Sequence, residues 1–515
     1  MMVKTFGSAV YGNDAITISI EVSWTPKGRM YFIVGLPDNA IRESFQRIES
    51  AIKGLNLHMP RTKIVVNMAP ADIRKSGSAF DLPIAIGILA ASGQLKNADA
   101  LADYVIMGEL GLDGSVRSIK GALPIAMQSR KENFKGLIIP KANAREAGIL
   151  NQLNVYGVEH IRDVVEFFEG GRQSLLPTIV NTREEFFLAQ EENEGDFSEV
   201  KGQENIKRAL EIAAAGGHNC ILIGPPGAGK TMLAKRMPSI LPPLTLPEAL
   251  ETTRIHSVAG KLQANSTLVS RRPFRNPHHT ISSIALVGGG AIPHPGEISL
   301  AHNGVLFLDE LPEFQRTVLE VMRQPMEDRK ITINRTHSGI EFPASFMLIA
   351  SMNPCPCGYF NHPDKDCSCP PGAVQKYLQR ISGPLMDRID LHVEVTPLPF
   401  ADLYACYHTE SSATIRERVT AARKIQQERF QDQHGVFANA QMGSSLLHQH
   451  AELCKASTNL LRTAMEKLRL STRAHDRILK VSRTIADLAD SEKLKPEHIA
   501  EAIQYRSLDR ERWMA

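Results

Sequence analysis

Residues 224–231 read GPPGAGKT, and residues 304–310 read GVLFLDE. The first run fits the pattern G-x-x-x-x-G-K-[ST], whose glycines let successive backbone N–H groups turn towards one anion. Lys230 can then reach the outer phosphates of a nucleotide, and the Thr231 hydroxyl can ligate Mg²⁺. The predicted phosphate cradle consists of Gly224, Pro225, Pro226, Gly227, Ala228, Gly229, Lys230 and Thr231. This stretch predicts an α/β core that binds a nucleoside triphosphate.

The second run predicts a short apolar strand, Val305 to Leu308, that delivers two carboxylates at its end. Asp309 suits the Mg²⁺ shell, and Glu310 suits a residue that orients or deprotonates a water for attack on the γ-phosphoryl group. A glycine-rich loop alone can be a chance turn. A loop followed by a carboxylate strand indicates ATP hydrolysis.

Composition restricts the classes of protein that fit. The chain has 515 residues, of which 43% are hydrophobic and 22% charged, as in ordinary globular proteins. Its formal charge is +3, so a nucleic-acid partner has to be argued from local patches rather than from net charge. The first residues have no apolar signal region, and no run approaches the ~18 apolar residues of a membrane span. We therefore expect a cytoplasmic protein with no membrane partner.

The chain divides into four predicted parts. Residues 1–172 alternate strands and helices, including a predicted buried strand at Met30 to Leu36, and residues 173–196 have the polar, acidic composition of a linker. Residues 197–398 follow the pattern of a nucleotide-binding core, and residues 399–515 are predicted to form a helical lid.

Three further residues are candidates for the nucleotide site. Asn353 follows the apolar strand Met347 to Ala350 and could hold the attacking water or touch the γ-phosphate, or it could be an ordinary loop residue. Arg388 could reach the γ-phosphate of a neighbouring subunit in a ring, or it could form only a structural salt bridge. Arg473 begins a predicted lid helix and could contact phosphate from there.

The order of these motifs resembles the AAA+ ATPases of the helix-2-insert group, and most closely the magnesium-chelatase-like ComM/YifB family. The resemblance covers essentially the whole chain and rests on long strings, among them RNPHHTISSIALVGGG, NPCPCGY and RISGPLMDRIDLHVEV. It implies an α/β protein with a Lon-protease-like N-terminal domain, a P-loop AAA+ core carrying β-hairpin inserts, and a C-terminal α-helical lid.

The same resemblance implies roles for individual residues. Asn353 is similar in position to sensor 1 and Arg473 to sensor 2, while Arg388 matches the arginine finger, with Arg380 as a second candidate. Gln203 falls where such proteins hold the adenine edge.

Four cysteines, Cys355, Cys357, Cys367 and Cys369, form two C-x-C pairs separated by nine residues. In a reducing compartment such a cluster more often holds a metal than forms disulfides, and four thiolates suit a closed, structural Zn²⁺ site. Free or redox-active thiols are the alternative, and His362 could replace one cysteine as a ligand. The predicted cofactors are therefore ATP, Mg²⁺ and a structural Zn²⁺.

Two basic stretches are candidates for contact with DNA. Basic side chains can follow a phosphate backbone, and an aromatic ring can stack on bases. The alternative is a solvated loop or a packed subunit interface, and His278 and His279 could equally serve the neighbouring ATP site. The candidate contacts, which the resemblance places on loops facing a ring channel, are Arg271, Arg272, Phe274, Arg275, Lys330 and Arg335.

The first segment also resembles the protease domain of the Lon family and the matching domain of the recombination protein RadA. A Lon-type hydrolase needs a serine activated by a lysine. Ser78 stands near the expected serine, but Leu123 occupies the lysine position and Lys120 lies three residues early. We therefore expect a scaffold without the catalytic dyad.

The family resemblance implies a homo-oligomeric ring, expected to be a hexamer. Its function would be that of a DNA motor and helicase that drives branch migration on single-stranded and branched DNA while donor DNA is integrated in natural transformation. The alternative is a magnesium-chelatase-like ATPase that remodels a protein complex, and a peptidase is the third candidate.

Overall fold

The computed structural model describes residues 2–25, 28, 30–170, 175–188, 195–262, 267–290, 293–335, 338–362, 364–397, 409–433 and 435–506. The fold is mixed α/β, with a seven-stranded sheet in the N-terminal region, a five-stranded parallel sheet in the middle and helices at the C-terminal end.

Among the described residues, the N-terminal region has nine strands and seven α-helices. The strands are β1 Met2–Tyr11, β2 Asp14–Thr25, β3 Tyr31–Val34, β4 Lys63–Ala69, β5 Tyr104–Ile106, β6 Glu109–Leu110, β7 Val116–Arg117, β8 Gly136–Pro140 and β9 Asn154–Val158. The helices are α1 Asn39–Arg42, α2 Ser44–Gly54, α3 Asp81–Ala91, α4 Ala122–Lys131, α5 Lys141–Ala147, α6 Ile161–Glu169 and α7 Thr182–Leu188.

The sheet of this region has the order β3-β4-β2-β1-β5-β8-β9. Strand β2 pairs antiparallel with β1 and β4, whereas β5, β8 and β9 run parallel to β1. The prediction of a buried strand at Met30 to Leu36 is wrong in its burial. Strand β3 lies at the sheet edge, and Phe32 and Val34 are exposed.

The middle region contains the remaining nine strands. They are β10 Cys220–Ile223, β11 Phe274–Arg275, β12 Gly288–Gly289, β13 His294–Pro295, β14 Val305–Leu308, β15 Lys330–Arg335, β16 Ser338–Pro343, β17 Met347–Met352 and β18 Leu391–Glu394. Its helices are α8 Glu204–Gly216, α9 Lys230–Ile240, α10 Leu246–Ala259, α11 Ser283–Val287, α12 Glu297–Leu300, α13 Arg316–Val321, α14 Arg323–Asp328, α15 Ala373–Leu378 and α16 Gly383–Met386.

Five of these strands form a parallel sheet in the order β11-β14-β17-β10-β18. Alternate residues of β14 enter two different cores: Val305 and Phe307 pack on the side that also receives the C-terminal helices, and Leu306 and Leu308 pack on the other. Strands β15 and β16 form the predicted hairpin. Since both faces of the sheet are covered, its carboxyl-end loops are the natural place for a site.

The C-terminal helices are α17 Ser412–Arg429, α18 Ser444–His450, α19 Lys455–Leu468, α20 Thr472–Leu488 and α21 Pro496–Gln504. Apolar residues of α17 and α20, such as Val419 and Ile478, are completely buried against the middle region. Among the helices that the structure describes, none has the length and apolar character that a membrane crossing needs.

Helix α10 joins the N-terminal and middle regions. The backbone N–H of Gly121 donates to the Ser257 carbonyl at 3.1 Å, and the Ser257 hydroxyl donates to the carboxylate of Glu146. Burial raises the pKa of Glu146, so its carboxyl group accepts the Ser257 hydrogen bond away from solvent. The N-terminal region is thus fastened to the helix that follows the phosphate loop and α9.

Candidate nucleotide-binding site

The phosphate loop connects the central strand β10 to helix α9. Gly227 and Gly229 have φ angles of 80° and 86°, a backbone conformation that residues with a side chain rarely adopt. At Gly224 an added Cβ would lie 2.3 Å from the carbonyl oxygen of Val395, so a side chain has no room there. The loop ends at the N-terminus of α9, where free backbone N–H groups stabilise a bound anion.

A cavity of about 420 Å³ opens above this loop. Strands β10, β17 and β14 are neighbours in the sheet, so the residues that follow their carboxyl ends meet here. Its lining brings together Lys230, Thr231, Asp309, Glu310 and Asn353, which the sequence had placed in separate motifs.

Lys230 is a largely buried residue of the cavity lining. Its Nζ donates to the carbonyl oxygens of Gly224 at 2.7 Å and Pro225 at 2.9 Å, and to Oδ1 of Asn353 at 3.0 Å. Burial lowers the pKa of Lys230, although Asp309 and Glu310 act in the opposite direction. The ammonium group is thus held by neutral oxygens, and an anion in the cavity would stabilise its charge.

The Thr231 hydroxyl donates to Oδ2 of Asp309 at 2.8 Å, and the hydroxyl of Ser351 donates to Oδ1 of the same carboxylate. A hydroxyl beside a carboxylate at a phosphate site fits Mg²⁺, which prefers oxygen ligands. Sequence reasoning missed Ser351, although its position two residues before Asn353, at the end of a strand, was a usable signal.

Glu310 has a different environment from Asp309. Its backbone adopts φ 54°, and its N–H donates to Oδ1 of Asp309 at 3.2 Å and to Oγ of Ser351 at 3.3 Å. Its carboxylate is 56% exposed and lies 3.9 Å from Nδ1 of His279. A half-exposed carboxylate at the cavity mouth can contact water, as a water-activating residue must.

Gln203 lies beside the phosphate loop, because its Nε2 donates to the Ala228 carbonyl at 3.1 Å. Its Oε1 is buried and has no hydrogen-bond partner among the described residues. A buried acceptor of this kind fits the exocyclic amino group of an adenine.

The three candidate arginines lie outside the lining of this cavity. Arg388 is 8% exposed, with Nη2 at 2.6 Å from Oε1 of Glu327 and Nη1 donating to the Pro384 carbonyl at 2.6 Å. Arg380 is 53% exposed and pairs with Glu313 at 2.9 Å. Arg473 is exposed and lies 3.5 Å from Asp387. Of the two finger candidates, Arg380 has the more accessible guanidinium, whose Nη1 also donates to the Pro312 carbonyl at 3.4 Å.

The four cysteines converge, with all their Sγ atoms within 4.8 Å of one another. The Sγ atoms of Cys355 and Cys367 are 3.7 Å apart, and those of Cys357 and Cys367 are 3.5 Å apart. The backbone N–H of Tyr359 lowers the pKa of Cys357 to about 5, which favours a thiolate. His362 is not part of this group, and its Nδ1 accepts from the backbone N–H of Asp364 at 3.0 Å.

Several candidate DNA contacts have partners within the chain. Arg272 is largely buried and donates to the carbonyls of Pro242 at 2.6 Å and Asn303 at 2.8 Å. Arg275 makes a two-point ion pair with Glu297, at 2.6 and 2.8 Å. The ring of Phe274 stacks on Phe307 with centroids 5.9 Å apart. These contacts give the three side chains a role in packing, and we do not propose them as DNA contacts.

The other basic candidates are Arg271, Lys330 and Arg335. Lys330 is about half exposed and pairs with Glu341 across the hairpin at 2.8 Å, and Arg271 is half-buried. The backbone of Arg335 ends strand β15, but its side chain lies outside the described residues.

The N-terminal region does not assemble a serine–lysine pair at the predicted positions. The Ser78 hydroxyl donates to the carboxylate of Glu109, and the Leu123 side chain is completely buried. The Lys120 side chain packs against Gly260 instead.

The parallel sheet, the phosphate loop and the carboxylate strand define a P-loop nucleoside triphosphatase. Three family models match the chain: "Magnesium chelatase, subunit ChlI" over residues 196–403, "Subunit ChlI of Mg-chelatase" over residues 20–143, and "Magnesium chelatase, subunit ChlI C-terminal" over residues 409–506.

The chain belongs to the ComM/YifB family of magnesium-chelatase-like AAA+ ATPases. It is 43% identical to the competence protein ComM of Haemophilus influenzae, over 98% of this chain and 97% of that protein. It is also 43% identical to the protein YifB of Escherichia coli, over 98% and 96% of the two chains. The Lon protease 2 of Bacillus subtilis is 28% identical over 33% of this chain and 34% of its own length. Membership of this AAA+ family implies ATPase activity, with ATP and Mg²⁺ as ligands.

Proposed function

We propose that the protein is an ATP-driven ring motor, a helicase that acts on single-stranded and branched DNA. The observation that carries the proposal is the cavity in which Lys230, Thr231, Asp309, Glu310 and Asn353 converge. The division of the chain that we propose is a Lon-like domain at residues 1–172, a linker at 173–196, an AAA+ core at 197–398 and a helical lid at 399–515.

In this proposal the loop glycines and Lys230 bind the phosphates of ATP, and Gln203 accepts a hydrogen bond from the adenine amino group. Thr231 and Asp309 would hold Mg²⁺, which would supply positive charge beside the phosphoryl oxygens. Glu310 orients the attacking water and takes its proton. Asn353 positions that water or the γ-phosphate, and Arg473 contacts phosphate when the lid closes.

We propose Arg380 rather than Arg388 as the finger that enters a neighbouring subunit's site. A trans-acting arginine needs an accessible guanidinium, and the side chain of Arg380 is 53% exposed whereas that of Arg388 is 9% exposed. Arg388 already has the structural salt bridge, to Glu327, that was its alternative assignment. A finger of this kind requires a ring, which we expect to be a hexamer.

Two considerations support DNA as the substrate. The relative from Haemophilus influenzae is named a competence protein, which favours a role in the integration of donor DNA. Arg271, Lys330 and Arg335 remain candidates for contact with the phosphate backbone, because the hairpin β15–β16 carries two of them. The four cysteines would hold a structural Zn²⁺, because four converging thiolates suit its tetrahedral shell.

The test compares ATP hydrolysis by the wild-type protein with and without single-stranded or branched DNA. DNA should stimulate the rate, and binding should weaken as salt rises, because released counterions drive it. Lys230→Ala is the control, and its hydrolysis should fall by roughly 10²-fold or more, as expected when phosphate stabilisation is lost. Absence of both stimulation and salt-sensitive binding would reject DNA as the substrate.

The second candidate is an ATPase that remodels a protein complex, as the magnesium-chelatase family models suggest. The internal partners of Arg272, Phe274 and Arg275 favour it, since they reduce the number of predicted side chains available to DNA. Hydrolysis that responds to a protein partner but not to DNA would support this candidate.

A further inference from the structure

The first cysteine pair lies in a tight turn that ends at Gly358. The backbone N–H of Gly358 donates to the Cys355 carbonyl at 3.0 Å, and the N–H of Phe360 donates to Cys355 Sγ at 3.3 Å. Cys355 is completely buried, and Gly358 has φ 85°. Any group that fixes Cys355 and Cys357 therefore also fixes the position of Gly358.

Gly358 contacts the phosphate loop directly. A Cβ added at Gly358 would lie 2.5 Å from Cδ and 3.2 Å from Cγ of Pro226. The cysteine turn also reaches the site along the chain, since Asn353 stands two residues before Cys355 and accepts from Lys230 Nζ at 3.0 Å. The cluster thus meets the nucleotide cavity at two points, Pro226 and Asn353.

We propose that the four-cysteine cluster positions the phosphate loop, with Gly358 as the positioning residue that packs on Pro226. A metal bound by the four thiolates ties the Cys355–Gly358 turn to Cys367 and Cys369, and without it that turn loses its long-range tether. The phosphate loop then loses its packing contact with Gly358, so the affinity of the protein for ATP falls. The inference rests on the proposed nucleotide site.

Two glycine substitutions distinguish the contact between Gly358 and Pro226 from the effect of backbone strain alone. Gly358→Ala places a methyl group against Pro226 in addition to a strained φ. Gly372→Ala is the matched control, because Gly372 has φ 79° at the other end of the same loop but no atom within 4 Å of an added Cβ. Both variants carry the backbone strain, and only Gly358→Ala displaces the phosphate loop.

The measurements are zinc content, the Kd for a fluorescent ATP analogue, and the KM and kcat for ATP. Gly358→Ala should retain its zinc and raise Kd and KM by about tenfold, whereas Gly372→Ala should stay within about twofold of wild type. Simple destabilisation would lower the number of active sites and hence kcat, but it would leave Kd unchanged.

Rescue provides a second readout. Pro226→Ala removes Cγ and Cδ, the two atoms that the new methyl group meets. Gly358→Ala should therefore raise Kd much less in a Pro226→Ala background than in wild type, because the two changes share one contact. Independent, multiplicative effects would contradict the proposed contact.

Metal removal completes the test. Cys367→Ser removes one of the four converging thiols and adds no atom beside Pro226, so it should lower zinc content and raise Kd for the ATP analogue. Equal affinity of zinc-loaded and zinc-depleted protein, or equal Kd values for Gly358→Ala and Gly372→Ala, would overturn the inference while leaving the nucleotide site intact. A wild-type protein that binds no nucleotide would overturn the proposed function as well.

Discussion

The nucleotide cavity and the Lon-like region both contain sequence strings typical of enzyme active sites, but the structure arranges them differently. In the cavity, Lys230 at the start of α9 meets Asp309 and Asn353, which directly follow two neighbouring strands. In the Lon-like region, Ser78 bonds to Glu109, and the side chain at the predicted lysine position, Leu123, is buried in the core. The cavity brings together the residues predicted for it, whereas the predicted Lon-type positions do not form a serine–lysine pair.

The difference follows from which residues carry each resemblance. The Lon-like string continues into α3, where every residue from Asp81 to Ala91 is buried, so it specifies packing. The phosphate-loop string instead specifies backbone shape and a cation, through Gly227, Gly229 and Lys230. A resemblance that rests on core residues predicts a fold, whereas function depends on the polar groups that converge.

The largest expected effect on ATP turnover is that of Glu310→Gln in the nucleotide cavity. The amide cannot take a proton from water, so turnover should fall by roughly 10²–10³-fold while ATP binding is retained. Hydrolysis is measured by phosphate release, and affinity by titration with a fluorescent ATP analogue. A Glu310→Gln protein that hydrolyses ATP at the normal rate would contradict the water-activating assignment.

The next largest effect on turnover is expected for substitution of Arg380, with Arg388 as the comparison. Arg380→Ala should keep its thermal stability and its ATP affinity but lower ring-dependent turnover by about 10²-fold or more, because transition-state charge loses its partner. Arg388→Ala should behave in the opposite way, with a lower Tm and near-normal turnover of the folded fraction, since it removes a buried guanidinium that bonds to the Pro384 carbonyl and to the half-exposed Glu327.

Mixing variants shows whether Arg380 acts between subunits. In a mixed ring, an Arg380→Ala subunit keeps an intact Glu310, and a Glu310→Gln neighbour supplies Arg380. Mixing the two nearly inactive proteins should therefore restore part of the turnover. No recovery in rings shown to be mixed would mean that Arg380 does not act in trans.

Sequence alone predicted much of the nucleotide site, because local spacing specifies it: Lys230 follows its own loop, and Asp309 follows its own strand. The burial of Arg388 could not be predicted in the same way, since Glu327 lies far from it in sequence. The exposure of Phe32 likewise depends on the position of β3 at the edge of the sheet, which no local pattern encodes. The burial of these side chains depends on contacts between residues that are far apart in the sequence.

The smallest effect is expected at Ser78. If the Lon-like region is a scaffold, Ser78→Ala should leave the ATPase rate within about twofold of wild type, a change of less than about 0.5 kcal/mol in the activation free energy. Unfolded casein and a serine-reactive fluorophosphonate probe are suitable tests for peptidase chemistry, and both should give the same background signal for wild type and Ser78→Ala. A wild-type signal that disappears in Ser78→Ala would show that a base elsewhere than at position 123 activates this serine. Glu109, which accepts a hydrogen bond from the Ser78 hydroxyl, would then be the first residue to substitute.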